Sequence, residues 1–222
     1  MKSYKTLEGI SDGRLYDSED WVAADAGGCK GCSACCHHVG DLVILTPFDV
    51  WGLRNYLKVS LEELLENNLE LCEENKIFLP HLRMQGPSQR CSFLDEENRC
   101  KVHAHRPNIC RLFPLGRVYE GNTFKYFLQA GNCQKTPLKD VKVKDWIAIE
   151  DYEQNKAFIL AWHQLLKALA FRLKFVREVE ECKGINEYLL DTFYHKLLEE
   201  PKDFYTAFWS KLPEAKSYLG IL

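Results

Sequence analysis

Four cysteines fall within eight residues near the start of this chain, in the run Cys29-Lys-Gly-Cys32-Ser-Ala-Cys35-Cys36. The C-x-x-C-x-x-C spacing turns three sulfur atoms toward one point over a short loop, which is what a metal requires of its ligands, most characteristically an iron–sulfur cube. Glycines at positions 27, 28 and 31 let the backbone curl closely around an inorganic core. The run therefore predicts a metal site with thiolate ligands.

The main competing interpretation of so many cysteines is a disulfide framework. Ten cysteines in 222 residues are too few for a disulfide-stapled miniprotein, and a chain of this length can bury a core without such staples. The N-terminus shows no apolar signal sequence, and no apolar run is long enough to span a bilayer. We therefore expect a cytoplasmic protein with no membrane partner, in which clustered cysteines bind metal. The net charge of −3 argues against nucleic acid as a main partner.

Candidate ligands continue beyond the cluster. With the four cysteines already named they make eight candidates, the later ones being Cys91, Cys100, Cys110 and Cys133. Eight thiols exceed the four ligands of one tetrahedral ion or one cubane, so a second metal centre is arithmetically open. Adjacent side chains such as Cys35 and Cys36 usually diverge, which leaves one of the two free for a second metal or unligated. Cys72 and Cys182 continue helical patterns, and we expect them to be ordinary thiols.

Arginines accompany the later cysteines in the segment Arg106-Pro-Asn-Ile-Cys110-Arg-Leu-Phe-Pro114. A metal with four thiolates carries net negative charge, which nearby guanidinium groups offset while donating hydrogen bonds. Arg106 and Arg111 are therefore predicted to lie beside the metal, although a plain surface position is an equally good interpretation for Arg111. Arg90, Arg99 and Arg117 are weaker candidates.

The surrounding pattern is mostly helical. Thr46-Pro47 and the Ser60-x-x-Glu63 capping box each predict a helix start, and apolar residues behind Ser60 extend one helical face as far as Leu69 and Cys72. The segment 91–100 predicts a strand, a polar turn and a second strand. In the second half we expect a helix of about 25 residues from Tyr152, then helices near 185–199 and 202–211, broken by Gly184, Pro201 and Pro213.

These elements together predict the fold class and the domain organisation. We expect a mainly α fold, in which an irregular cysteine-rich metal-binding region with a small β-hairpin packs on a helical C-terminal half. The metal-binding region spans residues 1–137 and the helical region residues 138–222. The two regions are either separate or one cooperative domain.

The motifs together resemble the CxxCxxCC cysteine-cluster family, whose members are regarded as zinc- or iron-chelating proteins. Three stretches carry the resemblance: residues 29–36, residues 45–60, and Cys91-Ser-Phe-Leu-Asp with the segment 106–114. The flagellin lysine methylase looks like a larger relative with the same cysteine domain, and iron–sulfur chemistry is attributed to it. The resemblance implies that all eight candidate cysteines form the ligand pool. Members often carry tyrosine where this chain has His103, so an imidazole stands beside the predicted site with its role open.

Three functions fit these observations. An iron–sulfur protein, most simply one with a 4Fe-4S cluster and a redox or cluster-dependent role, is favoured by the triad and by the absence of a second, separate C-x-x-C pair of the kind common in zinc sites. A zinc-binding structural or interaction module is the first alternative, and an enzyme related to the protein methylase is the second. The sequence contains no glycine-rich nucleotide motif and no nucleophile–base pair, so neither an enzymatic reaction nor the protein or small molecule it would act with can be named.

Overall fold

The computed structural model describes residues 9–27, 32–135, 137–197 and 203–221. The chain divides into two compact units, which alternate along the sequence. The first unit is drawn from Met1–Val39 and Met84–Tyr152, and the second from Gly40–Arg83 and Glu153–Leu222. The predicted division into a metal-binding region, residues 1–137, and a helical region, residues 138–222, stays a prediction.

The predicted fold class is wrong, because the protein is 46% helical and 22% strand and therefore mixed α and β. The described residues form four two-stranded antiparallel sheets. The clearest departure lies behind Ser60, where the second helix ends at Asn67 and the apolar pattern continues into a strand. A two-residue turn with positive φ at Asn75 and Lys76 reverses that strand into a hairpin. Leu69 and Cys72 thus have helical spacing only by coincidence, because they lie on a strand that directly follows a short helix.

The described part of the first unit contains three small sheets and two short α-helices. The strands are β1 (Trp21–Asp25) paired with β8 (Lys139–Lys142), β4 (Met84–Gln85) with β5 (Arg90–Cys91), and β6 (Leu115–Glu120) with β7 (Thr123–Leu128). The helices are α3 (Asn108–Leu112) and α4 (Val143–Ile147). Trp146 of α4 donates its indole N–H to the carbonyl of Phe113 at 3.2 Å, which ties α4 to the end of α3.

The predicted hairpin over residues 91–100 is a tight turn with a single antiparallel bridge, between Leu94 and Cys100. Asp95 closes the turn from its N-terminal side, because its carboxylate accepts from the N–H of Arg99 at 2.7 Å and its own N–H donates to the Arg99 carbonyl at 2.9 Å. Asn98 takes the positive φ that the reversal requires. One thiol therefore lies at each end of a short closed loop.

The second unit is mostly helical, with one hairpin. Its helices are α1 (Pro47–Leu57), α2 (Leu61–Asn67), α5 (Tyr152–Leu173, whose first residue belongs to the first unit), α6 (Val179–Leu190), a π-helical turn at Asp191–Lys196, and α7 (Phe204–Tyr218). Its strands are β2 (Leu69–Glu74) and β3 (Ile77–Leu82).

Both predicted helix starts are confirmed, since Thr46 and Ser60 each form a reciprocal capping box with the residue three positions later. The predicted breaks within the last helices are not all found: Gly184 lies inside α6 and Pro213 inside α7. None of the described helices is both long and apolar enough to cross a membrane.

Aromatic side chains fill the core of the second unit. Phe158 has no exposed surface and packs edge-on against Phe208, with ring centroids 4.8 Å apart, and against Phe204 at 5.0 Å. Tyr194 is also completely buried, and its hydroxyl donates a hydrogen bond to the carbonyl of Leu45 at 2.8 Å. Ring burial on this scale gives the second unit an apolar core that contains none of the candidate ligand cysteines.

Candidate metal centre

The cysteine-rich turn of the first unit is held against strand β5 by backbone contacts. Cys35 and Cys36 lie in a 3-10 turn, Ala34–Cys36, in which the N–H of Cys36 donates to the carbonyl of Ser33 at 2.8 Å. The next two residues run alongside β5: His37 bridges Arg90, and the N–H of His38 donates to the carbonyl of Gln89 at 2.8 Å. The turn is therefore positioned beside the start of the closed loop that carries Cys91 and Cys100.

That loop presents two thiols with different exposure. Cys91 ends β5 and is buried, while Cys100 is half-buried after the bridge to Leu94. Arg90 braces the loop, because its guanidinium donates to the carbonyl of Asp95. Arg90 thus helps to hold the loop closed, and its charge partly offsets the burial that raises the pKa of Cys91.

The four thiols act on one another electrostatically. A hydrogen bond between the two neighbouring thiols lowers the pKa of Cys35 and raises that of Cys36. Burial and the charges of Cys91 and Cys100 raise the pKa of Cys36 further. Burial is also the main reason that the pKa of Cys91 rises to about 11 and that the pKa of Cys100 is raised. Such coupling requires proximity, so the fold brings four thiols from two sequence-distant segments into one neighbourhood.

The charge of Arg106 acts on two of these thiols. The hydrogen bond with Cys36 is the main reason that the pKa of Cys35 is lowered, and the charge of Arg106 lowers it further. The same charge partly offsets the burial that raises the pKa of Cys100. The same guanidinium lies 3.2 Å from the ring nitrogens of His103 and donates to the His103 carbonyl at 3.0 Å. Burial first, and then the charges of Arg106 and Arg111, lower the pKa of His103, so its imidazole is neutral at neutral pH.

Arg111 contacts backbone carbonyls. Its Nε donates to the Arg106 carbonyl at 3.0 Å, and its other nitrogens donate to the carbonyls of Ala104 and Ala148. These bonds brace the 3-10 turn His103–His105 that leads into Arg106. The contacts of the two arginines differ: Arg106 places a charge beside the thiols, whereas Arg111 binds backbone carbonyls. That both support a bound cofactor stays a prediction.

The donor set fits iron or zinc in chemical type and number, because both bind thiolates and four thiolates complete either a tetrahedral zinc site or a cubane. Among the described residues, however, no three side chains of His, Cys, Asp or Glu are arranged to hold a metal ion directly. Ligation of a metal by the four neighbouring thiols therefore stays a prediction. Cys29, the first member of the predicted triad, lies outside the described residues.

The other cysteines divide between the two units. Cys32 precedes the 3-10 turn, Cys110 lies in α3 and Cys133 follows β7, so all seven described candidates belong to the first unit. Cys72 and Cys182 lie in β2 and α6 of the second unit. All nine described cysteines are free thiols. The ligand pool as a whole stays a prediction.

The contacts that position the site were not visible in the sequence. The pairing of residues 37 and 38 with residues 89 and 90 uses backbone atoms, for which side-chain identity carries no signal. The hydrogen bond from Arg90 to the carbonyl of Asp95 could not be predicted either, because an arginine that contacts a main-chain oxygen has no sequence signature. The chemical groups were predictable, whereas the scaffold that brings them together was not.

Comparisons with known proteins agree with the motifs. Residues 28–134 match the CxxCxxCC family model, described as "Putative zinc- or iron-chelating domain", which confirms the predicted resemblance and supports metal binding. The chain is also 32% identical over 123 residues to an uncharacterized protein of Methanocaldococcus jannaschii, and the match covers 53% of this chain and 62% of that protein. No solved structure matches the chain.

Proposed function

We propose that this protein, whose residues 28–134 are a domain of the CxxCxxCC family, binds an iron–sulfur cluster in its first unit and uses it in a redox or cluster-dependent role. One observation carries the proposal: Cys35 and Cys36 converge with Cys91 and Cys100 into one coupled set of thiols beside the charge of Arg106. The ligands come from this set together with Cys29 and Cys32, which complete the C-x-x-C-x-x-C triad.

Iron–sulfur chemistry is favoured over zinc by the spacing of the thiols. Zinc sites commonly pair one C-x-x-C with a second pair of ligands at similar spacing. Here three cysteines follow one another at that spacing, and no separate C-x-x-C occurs elsewhere in the 222 residues. A cubane takes up such a triad with one remote cysteine. When bound, a 4Fe-4S cluster supplies one-electron transfer.

The residues around the thiols suit a charged redox centre. Arg106 would offset the negative charge of a thiolate-bound cluster. The ring of His103, which contacts this guanidinium, is neutral and therefore does not repel it. Cys91 is buried whereas Cys35 is exposed, so a cluster held by both would be partly accessible to an electron donor or acceptor. Cys110 and Cys133 complete the predicted ligand pool and would bind either the same cluster or a second metal centre.

Metal and sulfide analysis tests the proposal directly. The full chain is produced without oxygen, with iron, cysteine and zinc all supplied, and its iron, zinc and acid-labile sulfide are measured per chain. We expect a brown protein with matched iron and sulfide. Stoichiometric zinc without sulfide would instead establish the alternative, a zinc-binding structural or interaction module, to which the family description applies equally.

The remaining expectations depend on this result. An enzyme related to the flagellin lysine methylase stays a prediction that rests on resemblance alone, and the chain has no glycine-rich nucleotide motif to support it. A cytoplasmic location stays a prediction as well. So does a partner that is another protein or a small molecule and not nucleic acid.

A further inference from the structure

Strand β2 of the second unit has an open edge. Its only strand partner among the described residues is β3, and the register pairs Leu71 with Pro80 and Cys72 with Leu79. Proline has no N–H, so Leu71 and Pro80 form a pair without mutual hydrogen bonds, in which the backbone groups of Leu71 point away from β3. By the same alternation the N–H and C=O of Glu73 also point to the open edge.

The opposite edge of the hairpin is occupied, which supports this register. On β3, the carbonyl of Pro80 accepts from the N–H of Leu45 at 2.8 Å, and the N–H of Leu82 donates to the carbonyl of Val43 at 3.1 Å. The N–H of Phe78 donates to the side chain of Asn186 at 2.8 Å. β2 is therefore the edge at which another extended chain can add.

A groove runs along one face of this hairpin. Its cavity of about 500 Å³ lies between the hairpin and α6, where apolar side chains such as Leu71, Phe78 and Val179 alternate with three acidic and three basic ones. Leu71 is 43% exposed, Phe78 39% and Val179 77%, so apolar surface that most proteins would bury lies open.

Hydrogen bonds fix the walls of the groove. Lys76, at the hairpin tip, donates its ammonium group to the carbonyls of Leu173 and Val176, each at 3.1 Å. Asn186 of α6 completes the clamp by donating to the Lys76 carbonyl at 3.0 Å. Because the walls are held in this way, an occupant meets a preformed surface and need not order it.

The charge on this edge indicates the kind of occupant. Residues 61–75 contain six glutamates and neither lysine nor arginine, and three of the six, Glu70, Glu73 and Glu74, lie on β2 itself. The basic residues that line the groove come from the hairpin tip and from the segment that leads into α6 and its first turns. Side chains alternate along a strand, so Leu71 and Glu73 face the groove while Glu70, Cys72 and Glu74 face the other side. A chain added at the edge would alternate in the same way, with one set of side chains over the groove and the other beside Glu70 and Glu74.

We propose that the open edge of β2 and the adjoining groove bind an extended peptide segment of a partner protein, in which apolar residues alternate with lysine or arginine. Main-chain hydrogen bonds to Leu71 and Glu73 would hold the segment in register. Its apolar side chains enter the groove, and its basic side chains pair with Glu70 and Glu74. A second copy of this chain is the poorer occupant, because pairing β2 with itself would bring glutamates of two strands together.

Fluorescence anisotropy with a labelled heptapeptide of alternating lysine and valine tests the proposal on the full chain. Two comparison peptides are used, one with the same composition in separate blocks and one that alternates glutamate and valine. The variant Leu71→Pro removes the outward N–H without a loss of bonds to β3, and Leu71→Val is its matched control. Glu70→Lys tests the charge, with Glu66→Lys as a control in the same acidic stretch.

We expect the alternating basic peptide to bind and both comparison peptides to bind at least about tenfold more weakly. Leu71→Pro and Glu70→Lys should each weaken binding by a similar factor, while Leu71→Val and Glu66→Lys leave it nearly unchanged. Circular dichroism checks that each variant folds, and Glu70→Lys carries the test alone if Leu71→Pro does not. Equal binding of the block peptide, or unchanged binding by both Leu71→Pro and Glu70→Lys, would overturn the proposal. A dimer in light scattering that Leu71→Pro dissociates would also overturn it, in favour of self-pairing.

Discussion

The guanidinium of Arg106 lies 3.2 Å from the ring of His103, and the same group acts electrostatically on Cys35 and Cys100. Arg106 thus contacts a neutral imidazole and acts electrostatically on two thiols, so its positive charge would stabilise the negative charge of a cluster bound there. His103 lies three residues after Cys100 and begins the 3-10 turn His103–His105 that leads into Arg106, which keeps the arrangement local.

Replacement of Arg106 tests this relationship. Arg106→Gln removes a positive charge beside the cluster and disfavours the more negative, reduced state, so we expect the reduction potential to fall by roughly tens of millivolts. Arg106→Lys keeps the charge and should recover most of the shift. Potentiometric titration followed by visible absorption makes the measurement. A potential that does not move in Arg106→Gln, with the cluster content intact, would place the arginine outside the influence of the cluster.

Serine variants of cysteines in the two units test which cysteines bind the metal. Cys91→Ser removes a buried member of the coupled set and should lose most of the bound metal together with stability, because site formation and loop folding are linked. Similar losses are expected for Cys29→Ser, Cys32→Ser and Cys110→Ser. Cys182→Ser alters a half-buried thiol of the second unit whose sulfur donates to the Lys76 carbonyl and accepts from Asn186, and Cys72→Ser alters one on β2.

Metal content per folded chain distinguishes these two groups of variants. Full metal content is expected for Cys182→Ser and Cys72→Ser. If Cys72→Ser lost as much metal as Cys91→Ser, the ligand pool would have been assigned to the wrong residues.

The metal-free protein should open unevenly. Closing loops between the first cysteine cluster and the later cysteines costs about several kcal/mol of chain entropy, which metal–thiolate bonds offset. We expect chelation to increase hydrogen exchange across residues 27–40 and 88–135. Residues 150–175 should stay protected, because α5 within this segment buries one face, including Phe158 in the aromatic core. An equal rise in both regions would show one cooperative domain that depends on the metal throughout.

The sequence predicted chemistry better than topology, and particular residues explain why. The cysteine triad, the Thr46-Pro47 helix start and the capping box at Ser60 are local patterns, each complete within eight residues, so residue type and spacing alone identify them. β2 was misjudged because a seven-residue helix and the strand after it happen to share an apolar spacing, and only the positive φ angles at Asn75 and Lys76 reveal the reversal. The convergence of Cys36 with Cys91 depends on backbone pairing between residues 37–38 and 89–90, which no side-chain pattern encodes.

Protonation of His163 should destabilise the fold in mildly acidic solution. Burial, and then the charge of Lys167, lower the pKa of His163 below its ordinary value of 6.5 in the folded state. The unfolded chain therefore binds the proton more readily, so this contribution to stability is complete above pH 6.5 and decreases as the pH falls toward the folded-state pKa. His163→Gln should flatten the pH dependence of unfolding by urea in this window. A profile as steep as that of the unaltered protein would assign the pH dependence to other groups.

The buried hydroxyl of Tyr194 offers a test of the second unit that is independent of metal. Tyr194→Phe removes its hydrogen bond to the Leu45 carbonyl while it keeps the ring in the core, so we expect the free energy of unfolding to fall by about 1 kcal/mol or somewhat more. Tyr218→Phe is the matched control, because Tyr218 is 59% exposed and stacks on Tyr188, an interaction that the substitution retains. Metal content should be unchanged in both variants, since Tyr194 and Tyr218 belong to the unit without candidate ligands. Urea denaturation followed by tryptophan fluorescence measures the difference, and equal stability of the two variants would show that the Leu45 carbonyl finds another donor.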